Sequence, residues 1–256
     1  MHSEAGLPLT SVYAFLLVLA RISGATIFVP IPGFSAGPEP VRIILALSFT
    51  VALFPLWPVV TTVPGPGLLV GWLISEAAMG IAVGLVVGFL SEAFGIFGQL
   101  VGLQAGYSFA STIDPTTQAD SSIFVIVAQT ISGLLFFSLG LHREVLRLFA
   151  RSLESIPPGS FQVKPVAVDV LIHLGSTIFS TGARLAFPVV ALMVMLDLSL
   201  ALLGRINAQL QLGSLTFPAK MLAGLAVVSA ILVIFPAIYR AFAERLFGAL
   251  PALIGH

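Results

Sequence analysis

Residues 68 to 103 form one apolar run that is too long for a simple membrane span. As a single helix it extends roughly 54 Å at 1.5 Å per residue, against a hydrocarbon core of about 30 Å. Residues 166 to 203 pose the same problem. Either these helices are broken, or they project beyond the lipid with faces that are still apolar. The second arrangement requires partner subunits to cover those faces.

Shorter apolar runs of span length flank the two long ones. The six segments are 9–29, 41–60, 68–103, 123–141, 166–203 and 215–239. Of all residues 58% are hydrophobic and 9% charged, where a soluble domain carries roughly 25% charged residues. The expected fold is all-α: a polytopic helical membrane protein of about six long hydrophobic helices, read as one domain over 1–256. PIPGFSAGPEP and TTVPGPG punctuate the first three segments, because proline and glycine end helices. Trp57 and Trp72 flank the second of these turns, as suits a membrane–water interface. The N-terminus is a poor signal peptide, with Glu4 but no Lys or Arg before the apolar run, and Arg21 inside it. It is read as a retained first span.

Several function classes fall away. Net charge is zero, so no basic face points to nucleic acid. There is no cysteine, which removes disulfides, thiolate catalysis and Cys-ligated metals. His2, His142, His173 and His256 show no metal-ligand spacing, and no metal or other cofactor is expected. Gly33-Phe-Ser35-Ala-Gly37 matches G-x-S-x-G, but that motif needs a strand–turn–helix elbow with a His and an acid delivered to it. Here it lies in a turn between membrane helices. No enzyme is expected.

Small residues carry a stronger pattern. Gly80, Gly84, Gly88, Ser91, Gly95, Gly98, Gly102 and Gly106 recur at steps of three or four. On a helical wheel they stay within about 40° of one line. Such a stripe admits a close helix neighbour, in this chain or another, whereas Val87 falls outside it and reads as outward-facing. The bland alternative is that glycine is simply frequent in membrane helices. Arg21, Glu76, Glu92, Arg184 and Asp197 are intramembrane charges, each costly unless paired or wet. Glu76 and Glu92 sit about 160° apart around their helix, so they are no carboxylate dyad. Structural pairing and a proton-transport role both remain open for each charge. Residues 142 to 156 set Arg143, Arg147, Arg151 and Glu154 against Val145, Leu148, Phe149 and Ile156. That pattern is a short amphipathic helix at an interface or against a partner.

The stretch GLQAGYSFASTIDPTTQADSS, residues 102 to 122, interrupts the apolar pattern with small, polar and aromatic residues. Irregular backbone at membrane depth survives only inside protein or along a watery cavity. Asp114-Pro115 favours a turn, and Tyr107, Phe109 and Ile113 offer groups to fill a constriction. An exposed loop is the plain alternative. Two function classes remain: a stand-alone proton-coupled small-solute transporter or channel, and a structural subunit of an assembly around a passage. The transporter predicts two similar halves, which the sequence does not show.

The run Gly102-Leu-Gln-Ala-Gly106-Tyr-Ser-Phe109-Ala, followed by Asp114-Pro115, resembles the R subunit of the bacterial flagellar export apparatus, the FliR family, and its injectisome T-subunit counterpart. Arg21 with Pro30-x-Pro32-Gly-Phe, Pro40-x-Arg42, Glu76-x-x-x-Gly80, Gly140-x-His142, Ile156-Pro157-Pro-Gly159 and Phe187-Pro188 keep the family's order. The resemblance spans essentially the whole chain. The loop between the last two helices departs from it. The family pattern has Pro, Asn and Gly where this chain has Ala208, Gln211 and Thr216. The same segment also looks like the helical hairpin of the small Q subunit.

The resemblance implies a subunit of a helical export gate in the bacterial inner membrane, within the flagellar basal body. Its partners would be P and Q subunits, the switch-type B membrane subunit, membrane lipid, and unfolded flagellar export substrates passing in single file. Residues 1–165 would be a P-like part and 166–256 a Q-like hairpin part. The loop 106–121 would plug the pore, with Gly106, Tyr107, Phe109, Ile113, Asp114 and Pro115 as plug residues. Arg205, Gln209, Gln211 and Lys220 would form a loop that contacts a cytoplasmic partner. Lys and Arg counts place 142–164 and the C-terminus in the cytoplasm, whereas the resemblance places the 204–220 loop there.

Overall fold

The computed structural model describes residues 9–29, 39–60, 64–106, 123–157, 159–162, 165–206 and 213–254. Among them every regular element is helical: α1 (Leu9–Thr26), α2 (Glu39–Ala52), α3 (Pro66–Gln104), α4 (Ile123–Ser138), α5 (Leu141–Ser155), α6 (Pro165–Ile206), α7 (Gly213–Ile231), α8 (Phe235–Gly248) and α9 (Leu250–Ile254). The polytopic all-α expectation holds. Among the described residues, four stretches are long and apolar enough to cross a membrane, namely α1, α3, α6 and Pro218–Leu253, or five if the bent pair α4–α5 counts as one span. The second apolar segment falls short of a span, because its helix ends at Ala52 and a 3-10 turn, Phe54–Leu56, follows.

The two long runs are continuous helices. α3 has Pro66 in its first turn, where a missing N–H costs nothing, and meets no further proline before Gln104. Its 39 residues span about 58 Å. α6, of 42 residues, runs through Pro188. α3 stops where Gly106 takes φ +82°, a conformation natural to glycine, with its N–H on the Leu103 carbonyl at 3.2 Å.

α3 is the axis of the fold. α1, α4 and α6 pack along it, and α8 and α9 touch it. Val83, Val86, Val87, Leu90, Phe94 and Phe97 are buried in the resulting core. Val87 is thus not outward-facing: a position off the glycine line still meets protein, since α3 has neighbours on several sides. Phe94 and Phe97 each stand edge-on to Phe235 of α8 at 5.2 Å, a favourable arrangement of ring quadrupoles.

α4 and α5 meet at a 62° bend. Gly140, at φ +74°, makes the corner and accepts the N–H of Arg143 at 2.9 Å. The amphipathic pattern of α5 then takes effect: Leu141, Val145, Phe149 and Leu153 are buried, while Arg143, Glu144, Arg147 and Arg151 are exposed.

Candidate functional site

Arg21 on α1 and Glu76 on α3 form an ion pair with side chains 1% and 2% exposed. Each arises from an apolar run that supplies no water, so each needs its partner. The pair also recruits two further segments. Arg21 Nη1 donates to Ser152 Oγ of α5 at 3.0 Å, and the Gly159 N–H donates to Glu76 Oε1 at 3.1 Å. Ser152 Oγ in turn donates to the Phe149 carbonyl at 2.8 Å. Ser75, the residue before Glu76, donates through Oγ to the Phe161 carbonyl at 2.7 Å. A single buried charge pair therefore ties together α1, α3, α5 and the backbone of Gly159. Its groups are occupied and sealed from solvent, which suits fixing helix register better than exchanging protons with water.

Glycines permit the close approach that this pairing needs. A Cβ on Gly80 would collide with the Arg21 carbonyl, and one on Gly84 would lie 2.7 Å from the Ala25 oxygen. From the other side, a Cβ on Gly24 would lie 2.7 Å from the Ala77 oxygen. Gly88 faces Phe28. Further along α3 the neighbour changes to α4, where Gly95 faces Gln129 and a Gly98 Cβ would sit 2.6 Å from the Phe124 oxygen. Gly102 is buried as well. The stripe thus serves two helices of the same chain in succession. Gly159 is constrained twice, by φ +73° and by the Trp72 ring, which a Cβ would strike.

A second polar cluster closes the far end of α3. Asp197 of α6 pairs with Lys220 of α7 at 2.9 Å. Gln104, the last residue of α3, donates to Asp197 Oδ2 at 3.3 Å. The cluster joins three helices two residues before Gly106.

Residues 12–246 match the family described as "Bacterial export proteins, family 1". The chain belongs to this family. Similar relatives are the "Flagellar biosynthetic protein FliR" of Escherichia coli (strain K12), 30% identical over 92% of this chain and 87% of the relative, and its namesake in Pectobacterium carotovorum subsp. carotovorum, 29% identical over the same shares. The namesake in Caulobacter vibrioides is 25% identical over 85% of this chain and 88% of the relative.

The remaining candidate residues of this export-family chain divide by position. Glu92 and Arg184 are exposed, and neither has a hydrogen bond or ion pair among the described residues. They stand apart from the Arg21–Glu76 and Asp197–Lys220 pairs. Arg205 is exposed in the last turn of α6. Lys220, expected in a partner loop, lies on α7 and is engaged by Asp197 within the chain. Tyr107, Phe109, Ile113, Asp114 and Pro115 lie outside the described residues, as do Gln209 and Gln211.

Sequence reasoning picked out Arg21, Glu76 and Asp197, with Glu92 and Arg184, as intramembrane charges, but did not pair them. Opposite charges in two apolar runs were the available signal for the first pair. Ser152 carried none, since one serine on the apolar side of an amphipathic helix is unremarkable in a sequence.

Proposed function

We propose that this chain is an integral subunit of the flagellar type III protein export apparatus in the bacterial inner membrane, building the export gate with P and Q subunits. In this reading it is a structural component, not an enzyme, and unfolded flagellar subunits pass through the gate it helps form. The likeness to FliR proteins over nine-tenths of the chain supports the apparatus.

The single observation that favours a gate subunit over a lone transporter is the exposed apolar surface along the length of α6. Ile172, Phe187 and Ile206 are 66%, 71% and 76% exposed, and Phe179, Met195 and Leu202 between them are exposed too. The stretch from Ile172 to Ile206 is about 51 Å long. A hydrocarbon core of about 30 Å covers only about 39 Å of helix even at a 40° tilt. The remainder needs protein, and neighbouring subunits of a helical assembly supply it.

Within that gate, residues 166–256 are the Q-like hairpin part, and the segment 106–121 is the pore plug. The segment 205–220, from the end of α6 into α7, contacts the switch-type B subunit on the cytoplasmic side. Co-expression with P- and Q-type subunits tests the reading. A stable complex that retains this chain through detergent purification is expected. A monodisperse chain that ignores those subunits and takes up a small solute would overturn it.

A further inference from the structure

A groove of about 340 Å³ runs between α5 and the C-terminal helices α8 and α9, within the roughly 300–1,000 Å³ range of small-molecule sites. Its lining is mixed: Arg147, Arg151 and Glu144 of α5 are charged, while Leu148, Phe247 and Pro251 are apolar. Arg147 is held only by Glu144, through Nη1 to Oε1 at 2.6 Å with both side chains more than half exposed, a surface pair that exchanges readily. Arg151 has no side-chain partner among the described residues. The groove therefore carries one positive charge in excess, beside a strip of hydrocarbon-like surface, on a membrane protein.

We propose that this groove binds one anionic phospholipid. The phosphate meets the Arg151 guanidinium, and Arg147 turns from Glu144 to join it. The glycerol backbone and first acyl carbons lie on Leu148, Phe247 and Pro251. Each half of the match has a reason. Guanidinium donates paired N–H groups suited to a phosphate, and basic pockets between membrane helices select anionic headgroups. A soluble anion would leave the apolar side in water, and a zwitterionic lipid would gain nothing from the excess charge. An amphipathic helix with its arginines outward is also the element expected at headgroup depth.

The test is native mass spectrometry of the full chain, with whatever subunits it retains, after exchange into phosphatidylcholine and titration with phosphatidylglycerol. One phosphatidylglycerol per chain is expected to displace phosphatidylcholine. The double variant Arg147→Gln/Arg151→Gln should bind it at least about tenfold more weakly, the scale of a lost charged contact. Arg240→Gln, an exposed arginine on α8, should bind as the parent does. Unchanged phosphatidylglycerol occupancy in the double variant would overturn the proposal, as would equal retention of the two lipids by the parent. Displacement of the bound lipid by soluble glycerol 3-phosphate at matched concentration would show that phosphate alone is read, and would also overturn it. A photo-crosslinker at Ser155, which lines the groove, should capture lipid. Capture of a partner subunit there instead would assign the groove to protein.

Discussion

Arg21 and Glu76, 55 positions apart in sequence, meet in a buried ion pair whose other hydrogen bonds reach Ser152 and the backbone of Gly159. Burying two charges is costly, and removing one partner strands the other. Much of the chain's arrangement around α3 thus depends on one side-chain contact.

Glu76→Gln should destabilise the chain by about 3–5 kcal/mol, the usual cost of an uncompensated buried charge. Arg21→Met should do likewise. The double variant Arg21→Met/Glu76→Gln should recover much of that loss, because no charge is left alone. Denaturant titration of the purified chain in detergent checks it; a double variant as unstable as the sum of the singles would contradict the pairing.

Gly98→Ala places a methyl 2.6 Å from the Phe124 oxygen and should cost roughly 1–3 kcal/mol by forcing α3 and α4 apart. Gly71→Ala, on the same helix with nothing within 4 Å, should be neutral or slightly stabilising, since alanine favours helix over glycine. Thermal unfolding of the two variants side by side separates packing from propensity. Equal melting temperatures would remove the close-contact explanation.

The Asp197–Lys220 pair is partly exposed, so its stability contribution should be modest, about 0.2–1 kcal/mol. Its role is to hold α6 and α7 to the end of α3. Lys220→Asp should place like charges together and lower complex yield, and the swap Asp197→Lys/Lys220→Asp should restore it. Yield is read by co-purification with P- and Q-type subunits, and failure of the swap to rescue would separate the two residues.

Deleting 110–117 should leave the assembled complex intact but leaky to ions. A plug must be displaceable, and moving a two-state balance from 1:99 to 99:1 takes roughly 5.5 kcal/mol, a scale that a few lost contacts supply. Conductance of membranes carrying the complex is the measurement. A deletion that assembles and stays tight means the plug lies elsewhere.

The helices themselves were legible in the residues, because an apolar run's length and its prolines act locally. The amphipathic α5 was readable from the spacing of Arg143, Arg147 and Arg151, which a single helix determines. The site was only half readable. Charges in apolar runs announce that a partner exists, yet nothing local says which partner.

The sequence alone settled the class of the molecule, the axis along which glycines line α3, and the excess length of α3 and α6, since each depends on composition or on one helix's period. Tertiary structure decided what those features meet. It divided the glycine stripe between α1 and α4, buried Val87 against expectation, paired Arg21 with Glu76, and engaged Lys220 with Asp197. Helical periodicity specifies a direction around an axis, whereas contact depends on how several axes cross, and that is a property of all the helices together.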